Sequence, residues 1–336
     1  MRTAVIALGG NALSPPDQEG TIPQQFEETR KSVKIIADLL ETGILPIITH
    51  GNGPQVGQVM RRVEATEDVT YGLPMDICVA DTMGGMGYMI QQCITAELLN
   101  RGLNHTACTV ISRSLVDEND PAFDKPTKPV GPFYTEEEAR TNEEKKGWSM
   151  IEDSGRGYRR VVYSPEPLRI LEINAIRHLI EAQNIVITCG GGGVPVRREG
   201  NELKGVEAVI DKDRASALLA QQMNVDQFII TTDIDAVYLD FGSDNEKKIK
   251  TISVEHAQQF LDDGEFPEGS MGPKVQAAIR FAQKTGRPAL IGALDQMEAM
   301  IMGKSGTKIG RDLETTFYSS RTKPDPGIPP SGERAS

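Results

Sequence analysis

Three lysines, Lys128, Lys212 and Lys274, each stand beside a turn-forming or acidic neighbour. They share the chain with two glycine–asparagine turns, Gly9-Gly10-Asn11 and Gly51-Asn52-Gly53. A lysine ammonium is a compact charge that can follow a moving phosphoryl group, and glycine lets backbone N–H groups come close to that group's oxygens. The combination points to transfer of a small anionic group. Because the 336 residues carry a net charge of −12, these cations are placed locally against the overall balance.

Each site also has an ordinary reading. Gly9-Gly10-Asn11 after an apolar run offers amide donors to a carboxylate, carbamate or phosphoryl oxygen, and equally suits a plain strand-to-helix turn. His50-Gly51-Asn52-Gly53-Pro54 repeats the device and opens a helix, whose N-terminal dipole favours an anion; His50 itself reads as a packed residue rather than a base. In Asp211-Lys212-Asp213, flanking carboxylates can hold the lysine charged, or Asp211 simply caps a helix. Ser270-Met271-Gly272-Pro273-Lys274 puts Lys274 in a first helical turn, where lysines are usually just solvated. Thr231 to Tyr238, with Asp233 and Asp235 between them, fits ribose, base or metal contacts, or a capped turn.

The elements that must carry these groups alternate. Continuous apolar runs at Thr3–Leu8, Ile44–Thr49, Thr106–Ile111, Ile185–Cys189, Gln227–Thr231 and Pro288–Ile291 read as strands. Helical patterns fall at 24–41, from Pro54, at 75–100, 213–223, 254–261 and 273–284. Apolar strands separated by helices imply a mostly parallel sheet covered on both faces, with ligands beyond the C-terminal strand ends. The turns after Leu8, His50 and Cys189 all fall at that edge. Residues 112–164, rich in Pro, Gly and charge, break the pattern and read as an inserted lid or binding subdomain, or else a solvated loop. Residues 311–336 are polar and Pro-rich, and a flexible tail is expected there.

The net negative charge disfavours nucleic acid or an anionic membrane as the main partner. Cys78, Cys93, Cys108 and Cys189 are far apart, with no C-x-x-C pair and no histidine at metal spacing, so neither zinc nor a disulfide framework is indicated. Thr3–Leu8 follows Met1-Arg2 directly, leaving no room for a cleavable leader, and no apolar run reaches membrane-spanning length; a cytoplasmic location is expected. Gly303-Lys304-Ser305 ends like a P-loop, but Glu298 stands where that pattern needs glycine. No G-x-G-x-x-G fingerprint and no G-x-S-x-G elbow is present.

The runs Ala7–Ala12, His50–Gly57, Pro126–Tyr134, Cys189–Pro195, Ala208–Asp213 and Gly269–Val275 together resemble those of the carbamate kinases, within the amino acid kinase family. The likeness covers about residues 1–310, which would form one kinase domain, and the Pro-Thr-Lys-Pro and Gly-Ser-Met-Gly-Pro-Lys runs are its most specific parts. It implies a three-layer αβα sandwich with an open, mostly parallel sheet and a protruding subdomain. It also implies a homodimer, and reversible phosphoryl transfer between carbamoyl phosphate and ADP, giving carbamate and ATP, with Mg²⁺ accompanying the nucleotide. On that likeness Gly9, Gly10, Asn11, Gly51, Asn52 and Gly53 would hold the carbamate and the transferring phosphoryl. Lys128 would reach in from the subdomain, and Lys212 and Lys274 would flank the phosphoryl with Asp213 orienting them. The nucleotide would lie near Gly191, Asp233, Tyr238, Met271 and Gly272; no residue is assigned to the metal. The rival readings are another phosphotransferase of the amino acid kinase family, acting on a carboxylate or phosphate acceptor, and a non-catalytic sensor of nucleotide or carbamoyl phosphate.

Overall fold

A computed structural model describes residues 1–15, 18–152, 157–267 and 269–319. Its main sheet has ten strands, and six of its nine strand pairings are parallel. Arg2–Leu8 lies at its centre between Ile44–His50 and Gln227–Thr232, and Ile185–Ile187 and Ala289–Ala293 flank those two in turn. Ala4 to Leu8 and Ile44 to His50 are buried throughout, as continuous apolar runs covered on both faces require. Helix Ile22–Glu41 packs on Met75–Arg101, and Lys212–Met223 packs on Met271–Thr285, so that helices form a layer on each side. Phe228 of the sheet meets Phe281 of the Met271–Thr285 helix at 5.4 Å between ring centroids. Burying each ring is worth about 1.5–3 kcal/mol and anchors the helix that carries Lys274. No helix among the described residues is long and apolar enough to cross a membrane.

The 112–164 excursion divides into two parts. Arg113–Leu115 does not stand off the body: it pairs with Val194–Glu199 in a four-stranded sheet, and Ser112 before it is fully buried. The protruding part is a three-stranded antiparallel sheet, Lys128–Tyr134, Tyr158–Val162 and Ser149–Glu152. Helix Glu136–Lys146 completes it. The acidic run Glu136–Glu138 is that helix's first turn: Thr135 and Glu138 form a reciprocal capping box, and Gly147 ends the helix in the left-handed region. Positions 153–156 lie outside the described residues.

The expectation of a tail from residue 311 also needs correction for its first part. Thr316–Phe317 pairs with the strand Lys247–Ser253, and Tyr318 donates hydrogen bonds to Lys248 O and Gly306 O. The segment satisfies backbone groups at a sheet edge, which its polar composition did not advertise. Residues 320–336 lie outside the described part.

Candidate active site

The two glycine turns meet. A Cβ at Gly51 would lie 3.4 Å from the Gly10 backbone and 3.5 Å from Lys212 Cδ, so glycine is needed for the close approach of two strand ends and a lysine stem. Not every amide there is available to a ligand. The Gly9 N–H donates to Thr231 Oγ1 at 3.0 Å and the Gly51 N–H to Leu8 O at 3.3 Å, because buried strand ends must satisfy their own donors. Gly10 and Asn11 form a single 3-10 turn, and Gly53 is the exposed first residue of helix Gly53–Ala65. The Asn52 side chain is buried and donates to Thr82 Oγ1 at 2.9 Å, a partner on helix Met75–Arg101 that sequence reasoning did not identify.

Asp211-Lys212-Asp213 is where the three lysines meet. Asp211 caps helix Lys212–Met223: its Oδ1 accepts from the N–H groups of Asp213 at 2.9 Å and Arg214 at 3.3 Å. Its Oδ2 takes Lys128 Nζ from the small sheet at 2.8 Å. Burial by itself would raise the Asp211 carboxyl, but the charge and hydrogen bond of Lys128, aided by Lys212 and the Arg214 N–H, hold it well below the usual carboxylate range. Asp213, 3% exposed, lies between the other two cations, with Lys212 Nζ at 2.5 Å from Oδ1 and Lys274 Nζ at 3.4 Å from Oδ2. Burial pulls Lys212 below its ordinary value; Asp213 opposes this and the neighbouring Lys274 charge adds to it.

Lys212 opens its helix and Lys274 lies in the first turn of Met271–Thr285, the ends where the helix dipole disfavours cations. Asp213 offsets one charge of the two. The remaining positive potential is a poor arrangement for stability and a good one for an arriving anion.

Both lysines, with Gly9 and Gly10, line a cleft of about 360 Å³ whose other wall carries Asp233, Tyr238 and Met271. Phe241, Glu265, Phe266 and Pro267 also line it and had not been picked out from sequence. Tyr238 donates to Asp235 Oδ1 at 2.6 Å, and burial followed by that carboxylate raises its pKa. Two expected nucleotide residues lie elsewhere. Gly191 is buried with φ +62°, and a Cβ there would come within 2.3 Å of the Asn52 side chain, so it backs the second glycine turn. Gly272 does not line the cleft but ties it from behind, its N–H donating to Pro267 O at 2.9 Å.

Among the described residues no group of three or more His, Cys, Asp or Glu side chains is placed to hold a metal. Magnesium carried on nucleotide phosphates needs only one or two carboxylates, and Asp233 and Glu265 stand on the cleft wall.

Comparison with known proteins bears on which anion is transferred. Residues 2–293 match the amino acid kinase family. Carbamate kinase of Thermococcus kodakarensis is 46% identical over 93% of this chain and 100% of its own length. The carbamate kinase-like protein YqeA of Escherichia coli is 47% identical over 91% of this chain and 98% of its own. Among solved structures, carbamate kinase from Giardia lamblia bound to AMP-PNP superimposes with a TM-score of 0.88 at 38% identity, covering 93% of this chain and 99% of that one.

Proposed function

Since the chain belongs to the amino acid kinase family, and within it to the carbamate kinases, we propose that its cleft transfers a phosphoryl group reversibly between carbamoyl phosphate and ADP. The observation that carries this reading is the sharing of Asp213 by Lys212 and Lys274, which line a cleft that also reaches Gly9 and Gly10. In the ATP-forming direction the bond from phosphorus to the carbamoyl oxygen breaks, and a bond to a terminal oxygen of ADP forms. Carbamate leaves as an anion and decomposes to ammonia and CO₂. No proton has to move in the transfer itself, so the site needs no general base.

The transition state is loose and spreads charge over the equatorial oxygens, so catalysis rests on positioning and electrostatics. Lys212 and Lys274, fixed by one buried carboxylate, present cations on the line of transfer. The glycine turns admit the carbamoyl end, Lys128 covers it from the small sheet, and the nucleotide lies along Asp233, Tyr238 and Met271. Mg²⁺ would come with the nucleotide, take its protein ligands from Asp233 and Glu265, and neutralise charge between the phosphates. A coupled assay of ATP formation from carbamoyl phosphate and ADP tests the reading; tight binding of both with no ATP formed would overturn it.

Two further parts belong to this proposal. The chain works as a homodimer through helix Met75–Arg101, whose exposed Ile77, Tyr88 and Leu99 recur about every three turns along one stripe. Leu99→Glu should yield monomers in sedimentation equilibrium. It works in the cytoplasm, in keeping with free thiols at Cys78, Cys93, Cys108 and Cys189.

A further inference from the structure

The segment after Gly310 reaches the cleft through a continuous chain of contacts. Tyr318 is anchored at its main chain and at the tip of its ring: its N–H donates to Lys248 O at 3.0 Å and its hydroxyl to Gly306 O at 2.9 Å. Lys248 Nζ lies 4.5 Å from the centroid of the Tyr318 ring, within cation–π range. The same ammonium donates to Asp235 Oδ2 at 2.6 Å, and the other oxygen of Asp235 accepts from the Tyr238 hydroxyl at 2.6 Å. Tyr238 in turn tilts against Phe241, with ring centroids 5.6 Å apart, and both rings line the cleft.

Each link limits the next. Asp235 has one oxygen for the lysine and one for the tyrosine, so the Tyr238 hydroxyl has a single anchored direction. Lys248 is a long, flexible side chain that would otherwise sample many rotamers; the carboxylate and the Tyr318 face restrict it from two directions. The aromatic wall formed by Tyr238 and Phe241 suits the flat apolar face of a nucleoside, whereas the lysines suit its phosphates.

We propose that Tyr318 and Lys248 are positioning residues for the nucleotide, setting through Asp235 the aromatic wall that Tyr238 presents to it. This rests on the nucleotide cleft described above. Neither residue touches the transferring group, so their loss should appear in nucleotide affinity and leave the transfer rate alone.

The test uses the full-length chain with Tyr318→Leu, Tyr318→Phe and Lys248→Met, measuring ADP affinity by calorimetry and steady-state constants in the ATP-forming assay. Removing the ring should weaken ADP binding about three- to tenfold, the combined scale of one cation–π contact and one hydrogen bond. KM for carbamoyl phosphate and kcat should stay within about twofold. Tyr318→Phe keeps the ring and should recover most of the affinity, and Lys248→Met should reproduce the loss, which keeps the test decisive if Tyr318→Leu does not fold. Unchanged ADP affinity in Lys248→Met, or equal losses in ADP affinity, carbamoyl phosphate KM and kcat, overturns the proposal. A parent that binds ADP with this pattern of variants yet forms no ATP would sink the assigned reaction and leave the positioning role standing.

Discussion

The cations of the main body and the cation of the small sheet reach the same tripeptide by different physical routes. Lys212 and Lys274 grow from helix N-termini, share the buried Asp213, and have side chains only 14% and 16% exposed. Lys128, at 38% exposure, belongs to a three-stranded sheet that seats on the body through a small apolar cluster, Val130 and Val162 against Val56, Met60 and Val194, ringed by polar pairs. Tyr134 donates to Glu64 at 2.9 Å, Lys146 pairs with Glu67 at 2.8 Å, and Arg160 pairs with Glu207 at 2.6 Å. Buried, mutually constrained charges are preorganised before substrate arrives, whereas rim pairs in contact with water hold weakly and exchange easily. Under the proposed function the difference amounts to a division of labour, in which the body would stabilise the transfer and the small sheet would select and cover the carbamoyl end.

The sharpest way to break that division is to remove one cation from each side. Lys212→Met or Lys274→Met should lower kcat by roughly 10²–10³-fold, the scale for a lost donor to developing charge, with the thermal transition retained. Lys128→Ala should instead raise KM for carbamoyl phosphate by about tenfold or more, as expected for a lost charge-assisted hydrogen bond. Its KM for ADP should stay within about twofold. If Lys128→Ala cut kcat as deeply as the body variants while sparing KM, the two regions would not differ in kind.

A smaller effect would show how Lys128 finds its place. Helix Gly53–Ala65 begins at the Asn52 turn and ends near Glu64, so one rod carries both the second glycine turn and the seat of the small sheet. Midway, a Cβ at Gly57 would lie 3.4 Å from the Gly131 backbone, and Gly131 has φ +74°, so the strand bearing Lys128 crosses this helix at backbone contact. Tyr134→Phe frees the far end of that strand and should raise KM for carbamoyl phosphate about two- to fivefold. In the double variant with Lys128→Ala the second change should add almost nothing, because no cation is left to position. Full additivity of the two effects would detach Tyr134 from this role.

How much of this was legible in the residues follows the same line. The buried strands announced themselves by uninterrupted apolar runs such as Ala4–Leu8, and the topological rule for parallel sheets placed the turns after Leu8, His50 and Cys189 at one edge. Asp211-Lys212-Asp213 was readable because a capping aspartate and a lysine adjoin in sequence. Contacts between distant stretches were not: nothing local marks Thr82 as the partner of Asn52, or Asp235 as the meeting point of Lys248 and Tyr238. The helix Glu136–Lys146 was missed although Thr135-x-x-Glu138 is a capping signature, because the run after it has scarcely any apolar face to give a period. Gly191 was misplaced because a glycine-rich turn looks the same whether it faces a ligand or a buried asparagine.

A last effect, read in stability rather than in turnover, concerns packing beneath the body's turns, and it separates burial from charge pairing as the source of the site's rigidity. His50 is fully buried, and a Cβ on Gly190 would come within 2.5 Å of its ring. Its Nδ1–H donates to Gly51 O at 3.0 Å, and its Nε2 meets no partner among the described residues. Burial pushes its pKa down from 6.5 to about 4, with the Gly51 carbonyl pulling back and the Lys212 charge adding to the fall. Above 6.5 neither the folded nor the unfolded chain protonates this ring, and His50 adds no pH dependence. Between 6.5 and about 4 only the unfolded chain takes up the proton, so stability falls as pH falls through that window and levels off beneath it. Urea midpoints for the parent and for His50→Gln, taken from about pH 7 down to about pH 5, isolate this contribution from Asp211 and the rim carboxylates, which both proteins keep. The parent should lose more of its stability than the variant over that range. Parallel curves would mean that the imidazole is already solvated in the folded chain and that the turn behind Asn52 is looser than its close contacts imply.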